Sequence, residues 1–317
     1  MQGMQYAIHS IFKDCLQIKP REHLLILSDA PLKEMGFSLY RESFHFSAKS
    51  HLLIVPEVIK PYEEPSSSIA AHMAQSNCVV LATSKSLSHT RARRKACRNG
   101  TRIVSLPGIT KESLIRTMTG NYRELISASL KIADIFTIGK TAHLTSDKGT
   151  DLTFSLSRVR GHADIGIVNE PGHFSNLPAG EASAGPASGL TNGTLVLDGS
   201  FPGIGKFKNP VKMRVKDGYV IRITGLEEAE KIRKILRPYG RAGKMVAEIG
   251  VGTNPDASFS GITLEDEKVR GTVHIALGNN ISFDGKNEVA CHFDGVIMKP
   301  CLEIDGISIV ENGVLQV

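Results

Sequence analysis

The chain lacks tryptophan altogether, and aromatic side chains make up only 6% of its 317 residues. Cysteine is scarce as well. Cys15, Cys78, Cys97, Cys291 and Cys301 are odd in number, and no two stand in CxxC spacing. That pattern speaks against a disulfide framework and for reduced thiols in a cytoplasmic protein. No stretch approaches the roughly 18 consecutive apolar residues that span a bilayer, and the N-terminal MQGMQYAIHSIFKDC holds no long apolar run, so neither a membrane anchor nor a signal peptide is expected. Strong charge of one sign is missing too. The net charge is +6 and the pI near 9.0, mild for this length. The single dense basic run, RARRKACR over Arg91–Arg98, reads as the solvated face of a helix, and no nucleic-acid partner is expected.

What is present is an ordinary globular balance, with 41% apolar and 22% charged residues. Length and pattern favour two domains. In the first 140 residues, short apolar runs alternate with helical stretches. His23–Ser28, His51–Val55, Asn77–Thr83 and Thr101–Leu106 each suit a strand buried on both faces. Leu32–Ser47, Ile69–Ser76 and Thr90–Asn99 suit the helices between them, and Lys111–Ile138 looks mainly helical. This order predicts a Rossmann-like, doubly wound α/β domain with a parallel sheet over residues 1–140. The pattern then changes. Thr141–Ser157 alternates around Asp147-Lys148-Gly149 like a hairpin, and further strands are expected at Gly193–Leu197, Val211–Val215, Tyr219–Thr224, Thr272–Ala276 and Val289–Phe293, with a helix at Leu226–Leu236. Residues 141–317 therefore read as an α+β domain with largely antiparallel sheet.

Two nucleotide signatures are absent. After Ser28 the chain reads DAPLKEMG, which lacks the glycines that let backbone approach a pyrophosphate. GSFPGIGKF over Gly199–Phe207 fails as a phosphate loop, because Ser200 stands where the first glycine is required and Phe207 replaces the magnesium-binding hydroxyl. No nucleotide cofactor is expected.

The strongest short signal is Cys291-His292-Phe293-Asp294. On a strand, His292 and Asp294 share a face and Phe293 points to the other. An imidazole and a carboxylate converging from one rigid strand suit a divalent first-row metal, although an HxD pair standing alone is more often a hydrogen-bonded couple. His162-Ala163-Asp164 repeats the spacing in a glycine-rich, loop-like stretch. His274 lies in the apolar GTVHIALG and needs a partner if buried. Glu248 sits between apolar residues in AEIGVGTNP, where a carboxylate is rarely buried without a counter-charge. Glu181, in NLPAGEASAGP, reads on its own as an exposed turn residue.

Taken in order, these pieces resemble the thermophilic metalloprotease family of the aminopeptidase T and aminopeptidase S type. The similar stretches are SHTRARRKACRNG, GTDLTF, NLPAGE with Glu181, AEIGVGTNP with Glu248, GTVHIALG with His274, and HFD with His292 and Asp294. They span residues from about 80 to 300. The resemblance implies an α/β N-terminal domain, a C-terminal metal domain and a homodimer. It also implies a metalloaminopeptidase-like hydrolase acting on a peptide or small-molecule substrate. Glu181, Glu248, His274, His292 and Asp294 match its metal ligands, holding two ions (Zn, Co or Mn) that activate a water. The chain departs from the family where Gly180-Glu181 replaces paired glutamates and where GNNIS, after the GTVHIALG stretch, has no tyrosine. The same superfamily includes 2,5-dihydroxypyridine 5,6-dioxygenase, whose single Fe(II) is held by two histidines and an aspartate. His274, His292 and Asp294 could form that set, with Glu181 and Glu248 outside it. A non-catalytic metal-binding relative is the third reading.

Overall fold

The computed structural model describes residues 2–60, 63–118 and 122–317. Contacts divide the chain into two compact units, Met1–Gly120 with Gly166–Ala179, and Asn121–Ile165 with Gly180–Val317.

In the first unit, the four apolar runs form parallel strands at His23–Asp29, Lys49–Val55, Cys78–Ala82 and Arg102–Ser105. They are ordered second, first, third, fourth across the sheet. The central Cys78–Ala82 and Arg102–Ser105 strands are buried throughout, as unbroken apolar runs require when a sheet is covered on both faces. Helices occupy Lys33–Ser43, Ser67–Gln75 and Arg91–Arg98. Ser66 and Thr90 cap the last two, each accepting from the backbone N–H three residues on. The basic run is thus helical. Its inward member Arg93 is buried, stacked over Phe174 at 4.2 Å.

Two features depart from a single boundary near residue 140. The three-residue strand Phe174–Asn176 returns to pair in parallel with Arg102–Ser105, adding a fifth strand to the first unit. The expected helical stretch Lys111–Ile138 splits into helices Lys111–Met118 and Tyr122–Ile138, and residues 119–121 lie outside the described residues. The second helix belongs to the second unit, because its Ile132, Ala133 and Phe136 enter that unit's apolar core.

The second unit holds an eight-stranded and a five-stranded sheet, both antiparallel in every described pairing. The hairpin forms between Thr141–Ser146 and Asp151–Ser155, as the alternation predicts. The five-stranded sheet positions the site. Its order is His292–Ile297, Val273–Gly278, Val246–Gly252, Glu181–Ala184 and Gly161–Asp164. One face of it carries Phe293, Ile275, Leu277, Ile249, Val251, Ala182 and Ala184. These share one buried cluster with Leu144, Leu152, Phe154, Leu195 and Met213 of the eight-stranded sheet. Side chains of this size each contribute about 1.5–3 kcal/mol when fully buried. The apolar face therefore fixes the sheet, and the opposite face is free to carry polar groups. The architecture is an α/β parallel-sheet part and an α+β part with largely antiparallel sheet, as the alternating and then period-two patterns predict. Among the described residues, no helix is long and apolar enough to cross a membrane.

Candidate metal centre

Strand pairing brings the polar residues to one face. Glu248 and Asp294 both pair with Ala276, His292 pairs with Gly278, and His274 pairs with Gly250. Glu181 pairs with Gly252 and with Asp164, and His162 pairs with Ser183. Side chains alternate between faces along a strand. His292, Asp294, His274, Glu248, Glu181, Asp164 and His162 therefore project from the same face, above a floor of Ala276, Gly250, Gly252 and Ser183.

One irregularity is essential. The register of Val246–Gly252 against Val273–Gly278 shifts between Val246 and Glu248. Val246 pairs with Leu277 of the apolar face. Were the pairing continuous, with Ala247 opposite Ala276, Glu248 would fall opposite Ile275, also on the apolar face. The bulge moves it to the site face, because a one-residue slip inverts every side chain that follows. The floor also has to be small. A Cβ on Gly250 would overlap the His274 imidazole, which lies across that glycine.

The five expected ligands converge. Glu181, Glu248, His274 and His292 are all buried, and Asp294 is half-buried. Glu181 begins a strand instead of occupying an exposed turn. His292 Nε2 lies 2.8 Å from Glu248 Oε2 and 3.3 Å from Asp294 Oδ1. His274 Nε2 lies 3.4 Å from Glu181 Oε2 and 3.6 Å from Glu248 Oε1. Two groupings on this face could hold an ion, Glu248, His292 and Asp294, and Glu181, Glu248 and His274, with Glu248 common to both. His292 Nδ1 is 2.8 Å from the Asn279 carbonyl. A carbonyl only accepts, so Nδ1 carries the hydrogen and Nε2 is turned toward the carboxylates.

Electrostatics at the site favours positive charge. Burial alone would raise the Glu248 pKa, yet the His274 and His292 imidazoles hold it well below the usual carboxylate range. Burial alone would lower both histidines. Glu248 and Glu181 instead raise His274 to about 9, and Asp294 and Glu248 hold His292 well above its ordinary value. Without an ion, protons on the imidazoles supply the charge that these carboxylates demand. A divalent cation would replace them, and imidazole nitrogens with carboxylate oxygens are the donor set that first-row divalent ions take. The buried Oε2 of Glu181 and Nδ1 of His274 have no hydrogen-bond partner, which leaves unused donor capacity beside the cluster. The residues fit a metal.

Lys268 and Phe283 escaped the sequence reading, and His162 was noted there only as part of a loop. Lys268 is fully buried, with Nζ 2.6 Å from Glu181 Oε1 and 2.9 Å from Glu267 Oε1. Within GITLEDEKVRG this lysine and Glu267 read as part of a solvated charged run, and no local pattern marks them as buried. His162, expected in a loop, lies on the strand Gly161–Asp164. Its Nε2 is buried without a hydrogen-bond partner. Burial, then Arg160, lowers its pKa, so it is neutral at pH 7. Phe283 packs against both histidines, edge-on to His162 at 5.4 Å and stacked on His292 at 6.2 Å. Cys291, next to His292, is inert as a nucleophile, since burial pushes its thiol up to about 12.

Comparison with known proteins then narrows the possibilities. The family described as 2,5-dihydroxypyridine 5,6-dioxygenase matches residues 46–317. The 2,5-dihydroxypyridine 5,6-dioxygenase of Pseudomonas putida KT2440 is 24% identical over 262 residues, covering 77% of this chain and 73% of that protein. The structure of 2,5-dihydroxypyridine dioxygenase from the same organism superposes with a TM-score of 0.83 at 17% identity, over 98% of this chain and 96% of that one. AmpT, the aminopeptidase T of Thermus thermophilus, superposes with a TM-score of 0.70 at 14% identity, over 100% and 99% of the two chains. The likeness to AmpT is therefore one of fold. The family match overturns the expectation of an aminopeptidase, a metalloprotease or any peptide hydrolase.

Proposed function

The chain belongs to the 2,5-dihydroxypyridine 5,6-dioxygenase family, and on that premise we propose that it is an Fe(II)-dependent enzyme that opens a hydroxylated pyridine ring with O₂. His274, His292 and Asp294 would hold the iron as a two-histidine, one-carboxylate set. The observation that carries this reading is that both imidazoles reach Glu248 and that His292 also reaches Asp294 on its own strand, with His292 locked by the Asn279 carbonyl. When bound, Fe(II) supplies open positions and the one-electron chemistry that lets O₂ react with a closed-shell ring.

The chain's own groups then have separable tasks. The Asn279 carbonyl keeps the His292 proton on Nδ1, so that Nε2 is available as a ligand. Glu248, reaching toward both imidazoles, stays ionised and balances positive charge. Phe283 and His162, set edge to face, offer a partly apolar lining suited to an aromatic ring. Burial favours the neutral form of His162, whose buried Nε2 has no hydrogen-bond partner, so it would serve as acceptor for a proton from a ring hydroxyl. The fully buried Lys268 and Glu267 seal the other side from water.

The decisive experiment is anaerobic reconstitution with Fe(II), followed by 2,5-dihydroxypyridine and O₂. Loss of ring absorbance with one O₂ consumed per ring supports the reading. An iron-loaded protein that leaves every dihydroxypyridine intact overturns it.

A further inference from the structure

Five carboxylates lie in and beside the site, and the iron reading gives only one of them to the metal. Asp164, Glu181 and Glu267 gather instead around one side chain. Lys268 Nζ stands 2.6 Å from Glu181 Oε1, 2.9 Å from Glu267 Oε1 and 3.9 Å from Asp164 Oδ2, with its side chain wholly inaccessible to solvent. The backbone enforces this position. The Asn254 N–H donates to the Lys268 carbonyl at 2.9 Å. Gly252 has no Cβ to collide with the Val269 and Glu267 carbonyls, so the chain around Lys268 lies directly against the strand that bears Glu248. Burying an ammonium is costly, and three surrounding carboxylates are the compensation such burial requires.

With His274 given to the iron, a second ion would have to sit on Glu181 and Glu248, the carboxylates left of the grouping Glu181, Glu248 and His274. Lys268 already holds one oxygen of Glu181. A divalent ion on the other oxygen would face the fixed ammonium across a single carboxylate, in an interior that screens like charges poorly. We propose that Lys268 is the site's built-in second cation, a positioning residue that claims Glu181 and limits the centre to one metal ion. This rests on the iron reading for the identity of that ion. It explains how a scaffold with enough ligands for two ions can be set for one.

Equilibrium dialysis of metal-free protein against Mn(II), with electron paramagnetic resonance, tests this without recourse to turnover. Wild type should bind one ion per chain with an uncoupled signal. Lys268→Met should bind two and show an exchange-coupled pair, whereas Lys268→Arg, which keeps the charge, should stay at one. Two ions in wild type, or a folded Lys268→Met that still binds one, overturns the proposal. If Lys268→Met does not fold, Glu181→Gln decides. It should keep the single ion with affinity reduced by no more than about tenfold, as for a group outside the coordination shell. Outright loss of the ion would mean that Glu181 is a ligand. The two readings fail separately. One bound ion with no ring opening sinks the dioxygenase and spares Lys268; two bound ions with ring opening does the reverse.

Discussion

The two HxD pairs occupy opposite edges of one sheet and project from the same face, yet the fold gives them opposite characters. At one edge, His292 contacts Glu248 and Asp294, and its pKa is held well above normal. At the other, His162 has a buried Nε2 without a partner, and its pKa is lowered. Their aspartates differ likewise. Asp294 contacts an imidazole, whereas Asp164 lies toward the Lys268 ammonium. The motif is the same in both. The neighbours across the sheet decide whether it becomes a cation-demanding cluster or a neutral base.

That contrast can be broken most directly by removing each histidine in turn. His292→Ala should abolish both metal binding and ring opening while circular dichroism stays native; an active variant would end the assignment of that edge to the metal. His162→Gln should keep the metal stoichiometry and lower kcat by about 10²–10⁴, the range for a lost proton acceptor. If metal is lost as well, the two edges are not functionally distinct.

A smaller effect is expected from the floor between them. Gly250→Ala places a methyl group into the His274 imidazole. It should reduce metal affinity by about 10–100-fold and cost about 1–3 kcal/mol of stability, read by metal titration and by denaturant unfolding. Wild-type affinity in this variant would show that His274 need not lie across the glycine.

The mildest probe is pH acting on metal-free protein. His274 is raised from its ordinary value to about 9 in the fold, and burial raises Glu267 to about 8 despite Lys268. A group whose folded pKa is raised stabilises fully below its unfolded pKa and ceases to do so as pH climbs through the folded value. Metal-free protein should therefore lose stability between pH 6 and 9.5, by on the order of 3 kcal/mol from His274. The iron-loaded form, whose ligating imidazoles carry no extra proton, should lack most of this slope. Thermal melts of both forms across this range measure it. His162→Gln should leave the slope intact, because that group is lowered and acts only toward acid pH.

Much of the molecule was legible in its sequence. The apolar runs that became the parallel sheet matched its strands to within a residue or two, although only Cys78–Ala82 and Arg102–Ser105 are buried throughout and Lys49–Val55, at the sheet edge, is largely accessible instead of buried on both faces. The Glu227–Leu236 helix was equally clear. The strand carrying the strongest motif was less so. Val289–Phe293 was expected, and the strand is His292–Ile297, because Cys291 and Val289 are as strand-like as the residues that pair. Phe174–Asn176 has three residues, too few for any period to register. Within the site, His274, His292, Asp294 and Glu248 were recognisable as polar residues in apolar surroundings, whereas Glu181 needed a family resemblance to join them. Lys268, Glu267 and the role of His162 were invisible, because charge beside charge reads as solvated surface.

The sequence alone determined the first four parallel strands, the helices between them and the first hairpin of the second unit, and that an imidazole and a carboxylate two residues apart on a strand face the same way. Those are consequences of local geometry, carried by neighbouring residues. Only the tertiary structure decided that a bulge at Ala247 turns Glu248 toward the histidines, that both HxD pairs share one face, and that Lys268 lies beneath Glu181. Each depends on strand register and on charges far apart in the chain. Electrostatic energy in a buried site is set by distance in space, which sequence spacing does not encode.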